Sequence, residues 1–220
     1  MTMLRVHNFA VSLDGFATGE GLTVDAPFGH AGHRLMQWFF PTHAFANMSG
    51  HDDEAVGTGT RGVDDSFAAA TSVGIGAEIM GRGKFGPQTG PWTDETWRGW
   101  WGEEPPFHSP VVVLTHHPRP DLVVGETTFL FRDLSPREAL DLAVEQAGGL
   151  DVRLGGGPTV VRDFLAADLV DHLHIVVSPI LLGRGVRLWD GLEGLEDRFD
   201  IETTASPSGV VHYVFARTPR

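Results

Sequence analysis

A single three-layer α/β/α domain is the fold class this sequence predicts, built on a mixed, mostly parallel central sheet with an antiparallel C-terminal edge. Three observations carry it. Strand-like and helix-like stretches alternate through the first two-thirds of the chain. The run at 111–115, VVVLT, is continuously apolar, as in a strand covered on both faces. Residues 201–204 and 210–217 are strand-like and flank Ser208-Gly209, which reads as an antiparallel pair.

The elements follow in order. Residues 4–13 alternate well enough for a first strand, closed by the turn signal Asp14-Gly15. Residues 17–29 read as loop, and 33–40 as a short buried helix stopped by Pro41. An irregular insertion follows at 41–62, without periodicity. Residues 63–73 are helical in pattern, and 77–80 form a strand ending at Gly81. The stretch 85–110 holds four of the six tryptophans and reads as an aromatic loop, a candidate contact between copies of the chain. A strand at 127–131 precedes Ser135-Pro136-Arg137-Glu138, in which Ser135 caps a helix start and Glu138 reaches back to it. That helix is expected to bury Leu140, Ala143, Val144 and Ala147 and to stop at Gly148-Gly149. A long strand is expected over 172–182.

Composition bounds the function. The chain has 220 residues, no cysteine and a net charge of -13. Disulfides, thiolate metal sites and a cysteine nucleophile are excluded, and a cytoplasmic setting fits. No basic footprint for nucleic acid is visible, and no run approaches the roughly 20 apolar residues of a membrane helix. Fifteen of the 16 basic residues are arginine; the one lysine is Lys84. Base composition of the gene is the plain reading of that bias.

LGGGPTVVRDFLAADL, residues 154–169, is the most informative stretch. It follows the β-like run 151–153, and its three glycines let a ligand approach the backbone. Pro158 suits a helix's first turn, and Val160, Val161, Phe164 and Leu165 form one apolar stripe. Strand, glycine turn and helix N-terminus together make a site for phosphate or pyrophosphate, or else a tight turn with no ligand. Among the 11 histidines, His172 and His174 share a strand face, but no zinc spacing such as H-E-x-x-H occurs and no metal is expected. No G-x-S-x-G elbow occurs, and no G-x-G-x-x-G opens the first βα unit with an acidic residue about 20 positions on, as a dinucleotide fingerprint requires.

The order VSLDG, IMGRGKF, VVVLTHHPR, LGGGPTVVRDFL, SPILLGRGVRLWDGL resembles the dihydrofolate-reductase-like family, and within it the reductase (RibD C-terminal) domain of riboflavin biosynthesis and its stand-alone relatives. The resemblance implies an NADPH-dependent reductase acting on a small heterocyclic or ribosylamino substrate. It implies cofactor contacts from Ala10 and Gly15 beside the nicotinamide. Gly81 and Arg82, with Lys84 nearby, would meet phosphate; Thr115 and His116 would flank the adenosine 2′-phosphate; Gly155, Gly156, Gly157 and Thr159 would meet the pyrophosphate. Asp14, His33 and a bound water are the candidate proton donors. Setting Trp38-Phe39 against the aromatic pair of folate reductases puts Leu35 where they carry a carboxylate, which argues against dihydrofolate. A non-catalytic NADPH-binding or ligand-sensing protein on the same fold is the alternative. Arg153, Arg162, Arg184 and Arg187 are candidates for a second phosphate site, and a homodimer is the expected assembly.

Overall fold

The computed structural model describes residues 2–48 and 58–218. Its strands are β1 (Leu4–Ser12), β2 (Phe16–Thr18), β3 (Ile75–Gly81), β4 (Pro110–Leu114), β5 (Leu122–Val124), β6 (Thr127–Arg132), β7 (Asp151–Gly156), β8 (His172–Ser178), β9 (Val186–Arg187), β10 (Phe199–Ala205) and β11 (Val211–Arg217). The helices are α1 (His43–Met48), α2 (Val63–Ala69), α3 (Arg82–Phe85), α4 (Pro136–Gln146) and α5 (Pro158–Ala166). Nine strands form one sheet in the order β10-β11-β8-β1-β7-β3-β4-β6-β5, and β2 pairs with β9 apart from it. From β8 to β6 every neighbour is parallel, while β11, β10 and β5 run antiparallel at the two sides. The mixed sheet with an antiparallel C-terminal edge is therefore present as expected.

Period-two alternation sorts the strands' side chains between two faces. On one face Ala77, Ile79, Val112, Val152, Leu154, Leu173 and Ile175 make a continuous core with Ala139 and Ala143 of α4 and Val161, Phe164 and Leu165 of α5. The apolar stripe of α5 is thus buried as its spacing predicts. In α4 Ala143 and the C-cap Ala147 are buried as expected and Ala139 joins them, whereas Leu140 is half-buried and Val144 is exposed. The small residues sit flush on β3 and β4, and Val144 faces outward.

The opposite face carries two separate clusters. One joins Ala10 and Val176 to Leu35, Trp38 and Phe39. The other joins Met80, Val111, Val113, Phe129 and Phe131 to Phe85, with Trp92, Trp97, Trp101 and Phe107 packed on it. Three of the four tryptophans of 85–110 thus pack on their own chain's core. Between the clusters lies β7, whose residues on this face are Arg153 and Gly155, so the middle of the face is polar and open.

Several local expectations change. Residues 33–40 are not a regular helix: a 3-10 segment spans Gly29–Met36 and is kinked at Gly32. β8 ends at Ser178, before Pro179. β5 is a short strand with no periodic signal in the sequence. Of the expected insertion at 41–62, residues 49–57 lie outside the described residues. Its flanks hold α1 and a parallel bridge between Thr42 and Thr60. Among the described residues no helix is long and apolar enough to cross a membrane.

Candidate functional site

Two cavities open near the carboxyl ends of β3, β4 and β7, where parallel α/β sheets place their ligands. The larger, about 850 Å³, is lined by Ala10, Gly81, Arg82, Lys84, Gly155, Gly156, Gly157 and Thr159, together with Arg153, Trp100, Trp101 and Phe107. The smaller, about 680 Å³, is lined by Arg82, Thr115, His116, His117 and Thr159, with Asp133 and Asp163. Arg82 and Thr159 belong to both, so the two spaces form one continuous cleft.

The glycine turn positions the cleft's floor. β7 ends at Gly156, and α5 starts from Gly157 with Pro158 in its first turn and no side-chain cap. Because proline lacks an N–H and Val161 already donates to Gly157 O, the N–H groups of Thr159 and Val160 face the turn with no intrahelical partner. The glycines serve different ends. A Cβ on Gly155 would run into Glu78 Oε1 and Lys84 Nζ, and Gly156 has φ +112°, with Phe9 3.3 Å from where a Cβ would sit. At Gly157 there is open space.

Arg82 begins α3, and its guanidinium lies 3.7 Å from the centroid of the Trp92 ring while Nη1 donates to Gly90 O. Its Nε and Nη2 are buried with no partner among the described residues. A planar cation with idle donors at a cleft is built for an oxyanion. Beside it, the Thr115 hydroxyl accepts from the His117 N–H at 3.1 Å, and His116 Nδ1 lies 2.9 Å from Asp133 Oδ1.

At the centre of the open face Glu78 is 1% exposed in its side chain, an ionised group in the middle of a sheet. It is Arg153's register partner across β3 and β7. Arg153 donates Nε to Glu78 Oε2 at 2.6 Å and also pairs with it through Nη2; Lys84 Nζ donates to Oε1 at 2.9 Å. Burial pushes the Glu78 carboxyl up, but Arg153 and Lys84 outweigh it and hold the group below its usual range. For Lys84 burial is the larger effect, and the ammonium lies below the ordinary lysine value despite Glu78. His7, also on the cavity wall, is pushed down to about 3 by burial and by Arg5, and is neutral.

Three predicted residues fall outside both cavities. Asp14 accepts from Ser12 Oγ at 2.5 Å, Leu182 N at 3.1 Å and Gly183 N at 2.7 Å. These bonds, the serine's first, lower its carboxyl to about 2. It is an anion that fastens the turn after β1 to the 182–183 loop, not a proton donor. Gly15 turns against Arg187 and Trp189 rather than the cleft. His33 is exposed, its ring edge-on to Phe28 and Phe40, because the kink at Gly32 turns it off the cavity wall.

Of the four candidate second-phosphate arginines, only Arg153 reaches the larger cavity, and Glu78 occupies it. Arg162 donates to Arg187 O, Arg184 pairs with Glu20 at 3.5 Å, and Arg187 covers Phe16. His172 and His174 do not form a metal patch. Asn8 N–H donates to His174 Nδ1 at 3.1 Å, and His174 Nε2 meets His212 Nδ1 at 3.0 Å. His212 Nε2 then donates to Asp64 at 2.9 Å. Every ring nitrogen of that chain is used, and no group able to hold a metal occurs among the described residues.

Sequence reasoning passed over Glu78 and the aromatic wall of Trp100, Trp101 and Phe107. The signal for Glu78 was present: a lone carboxylate inside an otherwise apolar strand requires a buried cation.

Sheet order, glycine turn and cation-lined cleft together define an α/β protein of the dihydrofolate-reductase-like fold. Residues 6–211 match the RibD C-terminal domain, and the chain belongs to that family, whose members are generally reductases. It is 25% identical over 218 residues to the uncharacterized protein YwjB of Bacillus subtilis (strain 168), covering 98% of this chain and 100% of YwjB. Among solved structures it resembles a diaminohydroxyphosphoribosylaminopyrimidine deaminase/5-amino-6-(5-phosphoribosylamino)uracil reductase from Thermotoga maritima, with a TM-score of 0.55 at 15% identity, covering 99% of this chain and 57% of that one. It also resembles dihydrofolate reductase from Enterococcus faecalis complexed with NADP(H), with TM-score 0.52, 13% identity, 99% of this chain and 97% of that one.

Proposed function

We propose that this protein is an NADPH-dependent reductase of a small planar substrate. The observation that carries the reading is Arg82: two buried guanidinium donors without a partner among the described residues, where the two cavities join, beside the uncapped start of α5. The residues fit a dinucleotide phosphate. Arg82 would hold one phosphate, with Thr115 and His116 alongside; Thr159 N–H and Val160 N–H would meet the pyrophosphate. Ala10, small and buried on β1, leaves room beside the glycine turn for a flat ring. Such a cofactor supplies a hydride when bound.

Charge supports the same reading. In a chain of net charge -13, the larger cavity is lined, among the described residues, by three cations, Arg82, Lys84 and Arg153, and by no aspartate or glutamate. Leu35 lines it where a folate reductase would need a carboxylate, which supports a substrate other than a pterin. The NADP(H) of the Enterococcus enzyme and the reductase activity named for the Thermotoga protein agree in class.

Calorimetric titration with NADPH, NADH and NADP⁺ at fixed salt tests the reading. NADPH is expected to bind at least about tenfold tighter than NADH, and Arg82→Gln to remove most of that difference. Equal losses for both cofactors would take the 2′-phosphate role away from Arg82, and no binding by any of the three would overturn the reading.

A further inference from the structure

Lys84 is the one lysine in a chain with fifteen arginines, and it lies on the wall of the larger cavity. Three features set its ammonium apart. The first is charge balance: Glu78 contributes one negative charge to the cluster, Arg153 and Lys84 one positive charge each, leaving one cation in excess. The second is donor capacity. Arg153 is committed through Nε and Nη2 to Glu78 and through Nη1 to Thr71 at 3.2 Å. Lys84 has three N–H donors and, among the described residues, one hydrogen bond, to Glu78. The third is the surroundings. Phe107 stands with its centroid 5.7 Å from Nζ, and Trp101 meets Phe107 edge-to-face at 4.7 Å. Phe9 flanks the glycine turn over which the lysine stem lies.

A partly desolvated ammonium with idle donors is costly unless an acceptor reaches it. Flat ring walls select flat ligands. We propose that Lys84 is the substrate-anchoring cation of this cavity, and that its ligand is a planar aromatic or heteroaromatic ring bearing one anionic oxygen group. The proposal rests on the reductase reading for the identity of that ligand as substrate. The anion subsite itself stands on the cluster's geometry.

Cofactor phosphate is the competing occupant for the ammonium. The ring anion is favoured by where Lys84 points. Its Nζ is turned toward Glu78 and Phe107, whereas the idle phosphate donors are on Arg82. Burial also holds the ammonium below the usual lysine range, as suits a cation kept from bulk water.

With one lysine, ¹³Cε-lysine labelling of the full chain yields one side-chain resonance to follow. The probes are benzoate, benzamide of the same shape without the charge, and acetate without the ring. Benzoate is expected to shift the resonance saturably, with benzamide and acetate each at least about tenfold weaker. Lys84→Met leaves Glu78 and Arg153 as a matched pair, so the fold is retained. It is expected to abolish benzoate's advantage over benzamide and to keep NADPH affinity within about threefold. The proposal is overturned if benzamide binds as well as benzoate, or if the resonance does not move. It is also overturned if Lys84→Met loses NADPH in step with benzoate, which would assign the ammonium to the cofactor. Should the variant not fold, the wild-type benzoate-to-benzamide ratio and the resonance decide alone. Wild-type binding of benzoate without NADPH would overturn the reductase reading and leave the anion subsite in place.

Discussion

Helices α4 and α5 begin alike and end their first turns differently. Each follows a loop or turn at the carboxyl end of a parallel strand, each has proline at its start, and both pack on the same face of the sheet. At α4 the start is closed by its own side chains: Ser135 Oγ accepts from Glu138 N–H, and Glu138 accepts from the Ser135 N–H at 2.9 Å. At α5 a glycine stands in the cap position and nothing closes the turn. Orphan donors at the helix start are thus met by the helix's own side chains in one case and left to the cleft in the other. A helix start without a cap is uninformative alone. Beside Arg82, with its own idle donors, it marks where an anion is needed.

The comparison is broken most severely at the turn that feeds α5. Gly155→Ala places a methyl against Glu78 and Lys84, inside a cluster that has no slack because the carboxylate is held from both sides. Overpacking of this kind costs about 3 kcal/mol at the upper end of its usual range. Urea unfolding should register that loss, and the displaced Lys84 should no longer hold a ring anion. A variant as stable as the parent would mean that the cluster can open freely, and the glycine would then serve only the ligand.

How far the sequence reveals the cleft follows from this geometry. Signals confined to one turn are legible: S-P-R-E announces a closed helix start and G-G-G-P-T an open one, while the role of G-R at a strand's end is legible only through the family resemblance. The parallel sheet and its antiparallel edge are legible from alternation and from the buried run 111–115. The Glu78–Arg153–Lys84 cluster is not, because its members come together only when β3 pairs with β7 in one register. Nor is the retirement of Asp14, whose partners at 182–183 lie far along the chain. His33 misleads for a local reason, since one glycine with positive φ turns it away.

The comparison is sharpened by giving α5 what α4 has. Thr159→Asp puts a carboxylate in the first turn of α5, where it meets the helix dipole favourably and the fold should be as stable as before. Phosphate binding should nevertheless fall about 100-fold, since like charges a few ångströms apart in a partly buried site repel by several kcal/mol. Titration of NADPH against this variant, with a thermal melt as control, separates the two effects. Unchanged affinity would remove the start of α5 from the cofactor site.

The converse change, at α4, has the smallest expected effect. Ser135→Ala deletes the acceptor for Glu138 N–H and the hydroxyl that donates to the Glu138 carboxylate at 2.6 Å. Loss of a serine cap costs about 1 kcal/mol. The α4 start touches the smaller cavity only through Pro136, and its N–H groups are turned to their own cap rather than to the cleft. Stability should therefore drop by that amount in a urea titration, while NADPH affinity stays within about twofold, under 0.5 kcal/mol. A larger loss of affinity would mean that α4 also reaches the ligand. The two helix starts would then share one anion, rather than dividing the work between holding the fold and holding the cofactor.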